Sequence, residues 1–134
     1  MVASIERINP EGLLEPVGFT HAVRVSGGTT IYVSGQGAYT ADHVLVGPGD
    51  YYEQSKQAFT NVLHALRGAG ATFQDVVKAT YLVVDLNPTA LEGFVRAMNE
   101  VLGPDAVHPA ATLIGVQALG YPEMLVEFEV VAVV

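Results

Sequence analysis

Residues 125–134 read LVEFEVVAVV, an apolar run interrupted by two carboxylates, Glu127 and Glu129. Side chains alternate across a strand, so Glu127 and Glu129 share one face while Val126, Phe128 and Val130 share the other. The β-branched and aromatic residues predict a strand with a core face. The opposite face carries two negative charges in a segment otherwise apolar enough to be core. That conflict decides the fold: the valine and phenylalanine face meets helices, and the glutamate face lies on the far side of the sheet.

The helices that cover the apolar face are found upstream. Between Asp50 and Gly70, Phe59, Val62, Leu63 and Leu66 recur at helical spacing opposite Glu53, Lys56, Gln57, Asn61, His64 and Arg67, and Gly68 and Gly70 end the run. A second helix starts at DLNP, with Asn87 as N-cap and Pro88 in the first helical position. Leu91, Phe94, Val95, Met98, Val101 and Leu102 give it an apolar stripe that stops at Gly103-Pro104. VVKATYLVV (76–84) and ATLIGVQAL (111–119) read as strands. Near the start, FTHAVRV and TIYVSGQGAY read as a hairpin turned at Gly27-Gly28, and SIERI as a short edge strand.

The order β-β-α-β-α-β-β predicts an α+β fold, a mixed sheet with two amphipathic helices packed on one face. The other sheet face then has no cover within the chain, and oligomerisation is the simplest way to bury it. A length of 134 residues predicts one domain, 1–134, and with 50% apolar and 15% charged residues a sizeable core can form.

Composition also excludes functions. With no cysteine, disulfides, thiolate catalysis and cysteine zinc sites are ruled out. Six Lys and Arg against fourteen Asp and Glu give a formal charge of −8, and the cations are scattered, so nucleic acid and anionic membranes are poor partners. No apolar run reaches the roughly 18 residues that span a bilayer, and MVASIERINP lacks the pattern of a secretory signal. The expected location is cytoplasmic. The glycines of SGQGAY make no phosphate loop, because no lysine follows and the third glycine is missing. His21, His108 and Glu127 have no metal-ligand spacing, so no metal is expected.

Four stretches together, IYVSGQGAY (31–39), NVLHALRGAGATFQDVVKATYLVVDL (61–86), HPAAT (108–112) and VEFEVVAV (126–133), resemble the RidA/YjgF-type family of reactive-intermediate deaminases. The resemblance covers nearly the whole chain. It implies a chorismate-mutase-like fold, a homotrimer with clefts between subunits, and hydrolysis of enamines and imines to a 2-keto acid and ammonia without a cofactor. Position by position, it places the glutamate that orients or deprotonates water on Glu127. The SGQ strand of the family falls on Ser34, Gly35 and Gln36, and its aromatic near the first core strand on Phe19, which lacks a tyrosine's hydroxyl. The hydroxyl residue after the PA turn falls on Thr112. The arginine that clamps the substrate carboxylate has become Ala111, and a common helix asparagine meets only Phe94 and Val95.

A carboxylate within hydrogen-bonding reach of water can act as general base, and imine hydrolysis needs one to deliver water and pass on its proton. The plainer reading of Glu127 is a solvated or salt-bridged strand residue, and of Ser34 and Thr112 hydroxyls that bond the backbone. His108, titrating near neutral pH, is a candidate substitute for the missing cation, though a histidine at a proline turn is commonly a surface residue. Two functions follow: a cofactor-free hydrolase of an imine, enamine or related small amine lacking a carboxylate, or a non-catalytic, regulatory trimer that binds a small metabolite or protein.

Overall fold

The computed structural model describes residues 2–134, and among these the chain folds as β1 (Ser4–Ile8), β2 (Ala22–Ser26), β3 (Thr30–Gln36), α1 (Tyr51–Gly68), β4 (Val76–Val84), α2 (Pro88–Leu102), β5 (Ala110–Val116) and β6 (Val126–Val133). The helix starts follow the capping chemistry. Asp50 accepts the Glu53 N–H at 3.0 Å, and Asn87 accepts the Ala90 N–H at 3.0 Å with Pro88 behind it. Gly103, at φ +86°, closes α2 in the left-handed region.

The main sheet has the order β3-β6-β4-β5, with β6 antiparallel to both neighbours and β4 parallel to β5. It is mixed, as expected. One face carries the rows Val33–Val130–Ala79–Ala111 and Phe128–Tyr81–Leu113. Both helices cover this face. The rings of Phe59, Phe94, Tyr81 and Phe128 pack against one another with centroids between 4.5 and 5.7 Å. Burying Val126, Phe128, Val130 and Ala132 here forces Glu127 and Glu129 to the outer face.

The N-terminal strands depart from expectation. Gly27 and Gly28 do form a turn with positive φ, but β2 pairs with β1 in a separate two-stranded sheet rather than with β3. The turn redirects the chain instead of closing a hairpin. A Cβ on Gly28 would lie 2.7 Å from the Val134 carbonyl oxygen, so glycine lets the chain pass the end of β6, where Thr29 donates to that carbonyl at 2.6 Å. β3 then pairs along β6, the partner whose apolar face it extends.

Among the described residues, no helix covers the outer sheet face. Tyr32 is 80% exposed and Ile114 39% exposed there. No helix among the described residues is long and apolar enough to cross a membrane.

Candidate active site

Glu127 sits on β6 beside Leu82 of β4, which is itself beside Ile114 of β5. Its other neighbour is β3, and there the sequence makes an unusual accommodation. Val33 pairs with Val130 but Gln36 with Phe128, so β3 carries one extra residue in a bulge at Ser34-Gly35. The bulge brings the Gly35 backbone onto the carboxylate: a Cβ there would stand 2.8 Å from Glu127 Cγ and Cδ and 3.0 Å from Oε2. Only glycine permits that approach without moving the glutamate. Neither ion pair among the described residues involves Glu127.

Glu127, Gly35 and Gln36 open into a cavity of about 940 Å³ at the end of β3. Its far wall was not foreseen. Gln57 and Asn61, on the polar side of α1, line it. Gln57 donates to Asn61 Oδ1 at 2.9 Å, and Asn61 Nδ2 donates to the Gly37 and Tyr39 carbonyls, both at 2.9 Å. Tyr39 donates to Glu123 Oε1 at 2.6 Å. Burial, then the Glu123 hydrogen bond, pushes the Tyr39 hydroxyl up to about 12, while the same bond holds Glu123 below the usual carboxylate range. Beneath this wall lies Gln54, fully buried, donating to the Gly47 and Glu123 carbonyls at 3.2 and 3.3 Å and accepting from Leu125 N–H at 2.9 Å. One amide thus fixes the approach to β6 relative to α1 two residues before Glu127.

Ser34 does not share this cavity. It borders a smaller cavity of about 290 Å³ on the outer sheet face with Lys78, Thr80 and Glu129, and its carbonyl accepts from Gln36 Nε2 at 3.1 Å. Thr112 faces the same side, accepting from Lys78 Nζ at 3.4 Å.

Phe19 and Ala111 lie elsewhere. Ala111 belongs to the core row of the sheet, on the face opposite Glu127, and with Phe19, Tyr81, Phe94, Val95 and Leu113 it borders a second cavity of about 400 Å³. The walls are apolar. Phe94 and Val95, where the family resemblance expects an amide, close one side. Among the described residues, Glu127 and Ala111 line different cavities.

His108 is half-buried at the turn before β5, where its carbonyl accepts Thr20 Oγ1 at 2.6 Å. Its Nδ1 is buried with no hydrogen-bond partner among the described residues, and burial lowers its pKa. The environment therefore favours the neutral imidazole. No group of three or more His, Cys, Asp or Glu that would hold a metal ion occurs among the described residues.

The comparisons with known proteins bear on this geometry. A Rid-family protein of unknown function from Yersinia pestis superimposes with a TM-score of 0.89 at 38% identity, covering 97% of this chain and 98% of that one. A RutC family protein of Pyrococcus abyssi is 32% identical over 129 residues, 95% of each protein. The 2-iminobutanoate/2-iminopropanoate deaminase of Capra hircus is 51% identical over 59 residues, a match spanning 43% of this chain and only 42% of that relative's length. Residues 13–134 match the family model described as Endoribonuclease L-PSP. Architecture, full-length similarity and family model agree, and the chain belongs to the RidA/YjgF family.

Proposed function

We propose that the protein is a cofactor-independent hydrolase of an imine or enamine whose reacting carbon bears no carboxylate, acting as one 134-residue domain in a homotrimer. The observation that carries this reading is the close approach of β3 to Glu127, so close that a Cβ on Gly35 would stand 2.8 Å from Glu127 Cδ, at the mouth of a cavity large enough for substrate and water. In the proposed step Glu127 takes a proton from water as its oxygen bonds to the C=N carbon. Glu127 passes that proton to the nitrogen, giving a neutral carbinolamine. It then takes the carbinolamine's hydroxyl proton as the C=O bond forms and delivers it to the departing nitrogen, so ammonia leaves and the carboxylate is restored.

Two observations support assembly. Glu127 and the Phe19–Ala111 cavity occupy opposite sheet faces, and the outer face keeps exposed Tyr32 and Ile114. A cleft between copies in a closed ring unites what one chain separates. The deaminase name of the mammalian relative supports C–N hydrolysis, and Ala111 argues against that relative's 2-imino acids, since no Lys, Arg or His borders this cavity to pair with a carboxylate. The ribonuclease in the family description is disfavoured by the charge of −8. The absence of that counter-charge also favours a second reading, a non-catalytic trimer that binds a neutral metabolite.

The test follows ammonia release from a panel of freshly generated imines with and without a carboxylate, beside light scattering of the same preparation. Turnover of at least one neutral imine by a trimer is expected. A stable monomer at micromolar concentration overturns the shared cleft. Binding without turnover across the panel selects the second reading.

A further inference from the structure

Within the sheet, Glu127 is paired on one side only, with Leu82 of β4. Toward β3 the register jumps from Val33–Val130 to Gln36–Phe128, and the bulge between them interrupts the ladder beside the carboxylate. Past Gln36 the strand ends. The close approach of Gly35 to Glu127 therefore needs support from outside the sheet.

α1 supplies that support at two places. Asn61 Nδ2 donates to the Gly37 and Tyr39 carbonyls, both at 2.9 Å, two and four residues past Gly35. Both of its N–H groups are thereby engaged, and its Oδ1 accepts from Gln57. Seven residues earlier on the helix, Gln54 accepts from Leu125 N–H at 2.9 Å and donates to the Glu123 carbonyl at 3.3 Å, two and four residues before Glu127. A spacing of seven is about two turns, so both amides lie along one stripe of α1. The two anchored loops also meet directly, where Tyr39 Oη donates to Glu123 Oε1 at 2.6 Å. The bonds close a circuit from Asn61 through Tyr39 and Glu123 to Gln54 and back along the helix. Gln54 is fully buried, and its amide is tolerated there because backbone groups pair with it.

We propose that this circuit holds the Glu127 carboxylate against Gly35, with Asn61 and Gln54 as positioning residues on its two flanks and the Tyr39–Glu123 bond coupling them. The inference rests on reading Glu127 as the base. Neither amide has to touch substrate. Cutting the circuit at any bond frees one strand end, and a small misplacement of a reacting group is expensive.

The test joins crystal structures of variants to a double-mutant cycle. A change at buried Gln54 endangers the fold, so the cycle uses two residues at the cavity wall. Asn61→Ala frees two carbonyls that solvent can reach. Tyr39→Phe keeps the ring against Tyr121 and removes only the link to Glu123. In both variants Gly35 Cα and Glu127 Cδ should stand further apart than in the parent. That separation is read without substrate, so a failure of the hydrolase reading does not touch it. On a responsive imine, Asn61→Ala should lower kcat about tenfold and Tyr39→Phe about threefold, with KM little changed. The double variant should lose about tenfold and not roughly thirtyfold, because both changes cut one circuit. Val62→Ala thins the core under the same helix and should lower the thermal midpoint while leaving separation and kcat unchanged. An unmoved carboxylate in both cavity variants overturns the proposal even where Glu127 proves to be the base. Losses that multiply overturn the circuit, and a loss in KM alone makes Asn61 a substrate contact. A fall in kcat for Val62→Ala equal to that of Asn61→Ala would reduce the amide to a stabiliser of the helix.

Discussion

The cavity at the end of β3 and the cavity under α2 are built on the same four-stranded ladder from opposite materials. The first is walled by amides, hydroxyls, carboxylates and the imidazoles of His43 and His64, several supplied by loops that Gln54 and Asn61 tie to α1. The second is walled mainly by apolar side chains from α2, two strands and the loop at residues 17–19, with Tyr81 and Thr112 the only hydroxyl-bearing residues in the wall. The difference teaches where each task can reside. Moving protons needs polar partners and water, whereas choosing among apolar groups needs a dry, shaped wall. Strand geometry keeps the two apart, because a residue crosses to the other face only if the whole register slips. Glu127 cannot swing to the Ala111 side within its own chain, so joining the two requires a second chain.

Removing the base should show the largest effect. Glu127→Gln keeps the shape and the Gly35 contact but cannot accept a proton, so turnover of a responsive imine should fall by about 10²- to 10⁴-fold. Thermal denaturation and assembly should be unchanged. Unchanged turnover would make the polar cavity a bystander.

A change on the opposite face comes next. Ala111→Arg places a guanidinium in the apolar cavity, where a two-pronged pair can hold a 2-imino acid. A hydrogen bond to a charged group is worth roughly 1.5–3 kcal/mol, so efficiency on 2-iminopropanoate should rise about ten- to a few-hundredfold. Ammonia release by parent and variant measures this directly, with the double variant carrying Glu127→Gln as control. A parent already brisk on such acids would show that the dry wall does not set specificity.

Gly35→Ala sharpens the description of the polar side. The new Cβ would stand 2.8 Å from Glu127 Cγ and Cδ, yet what it meets is the end of a flexible side chain, so the fold should survive. The displaced carboxylate should cost about tenfold in kcat, because small misplacements of a reacting group are expensive. KM should move little. A loss carried by KM alone would mean that Gly35 shapes binding instead.

Much of this architecture was legible beforehand. Asn87 and Pro88 announce α2 because caps are local chemistry, the spacing of Phe59, Val62, Leu63 and Leu66 marks α1, and VVKATYLVV marks β4 from end to end. Alternation alone also put Glu127 opposite Phe128. The pairing of β2 escaped, since two glycines specify a turn and say nothing about which strand the chain meets afterwards. The polar cavity wall escaped for a related reason. Gln57 and Asn61 sit on a helix face that reads as solvated until the loop after β3 is known to lie against it. A signal was available in their uncharged amides four residues apart, beside Lys56 and Glu53. That Ala111 and Glu127 face apart follows only from register, which pattern does not supply across separate strands.

The smallest expected effect concerns His108, at the turn leading into the apolar cavity's β5. Burial lowers its pKa in the folded chain, and its Nδ1 has no partner among the described residues. An unfolded histidine takes up its proton near pH 6.5. As pH falls through that value the unfolded chain binds the proton first, and stability declines until the folded imidazole also protonates. The contribution is therefore complete above about pH 6.5 and fades below it. One proton limits the slope to about 1.4 kcal/mol per pH unit, and solvent at the exposed edge of the ring keeps it beneath that limit. His108→Phe retains a flat ring and removes the titration. Urea midpoints of parent and variant should thus diverge between pH 7.5 and about pH 5.5, with the parent losing more. Parallel profiles would mean that the ring protonates without cost when folded and that burial does not hold it neutral.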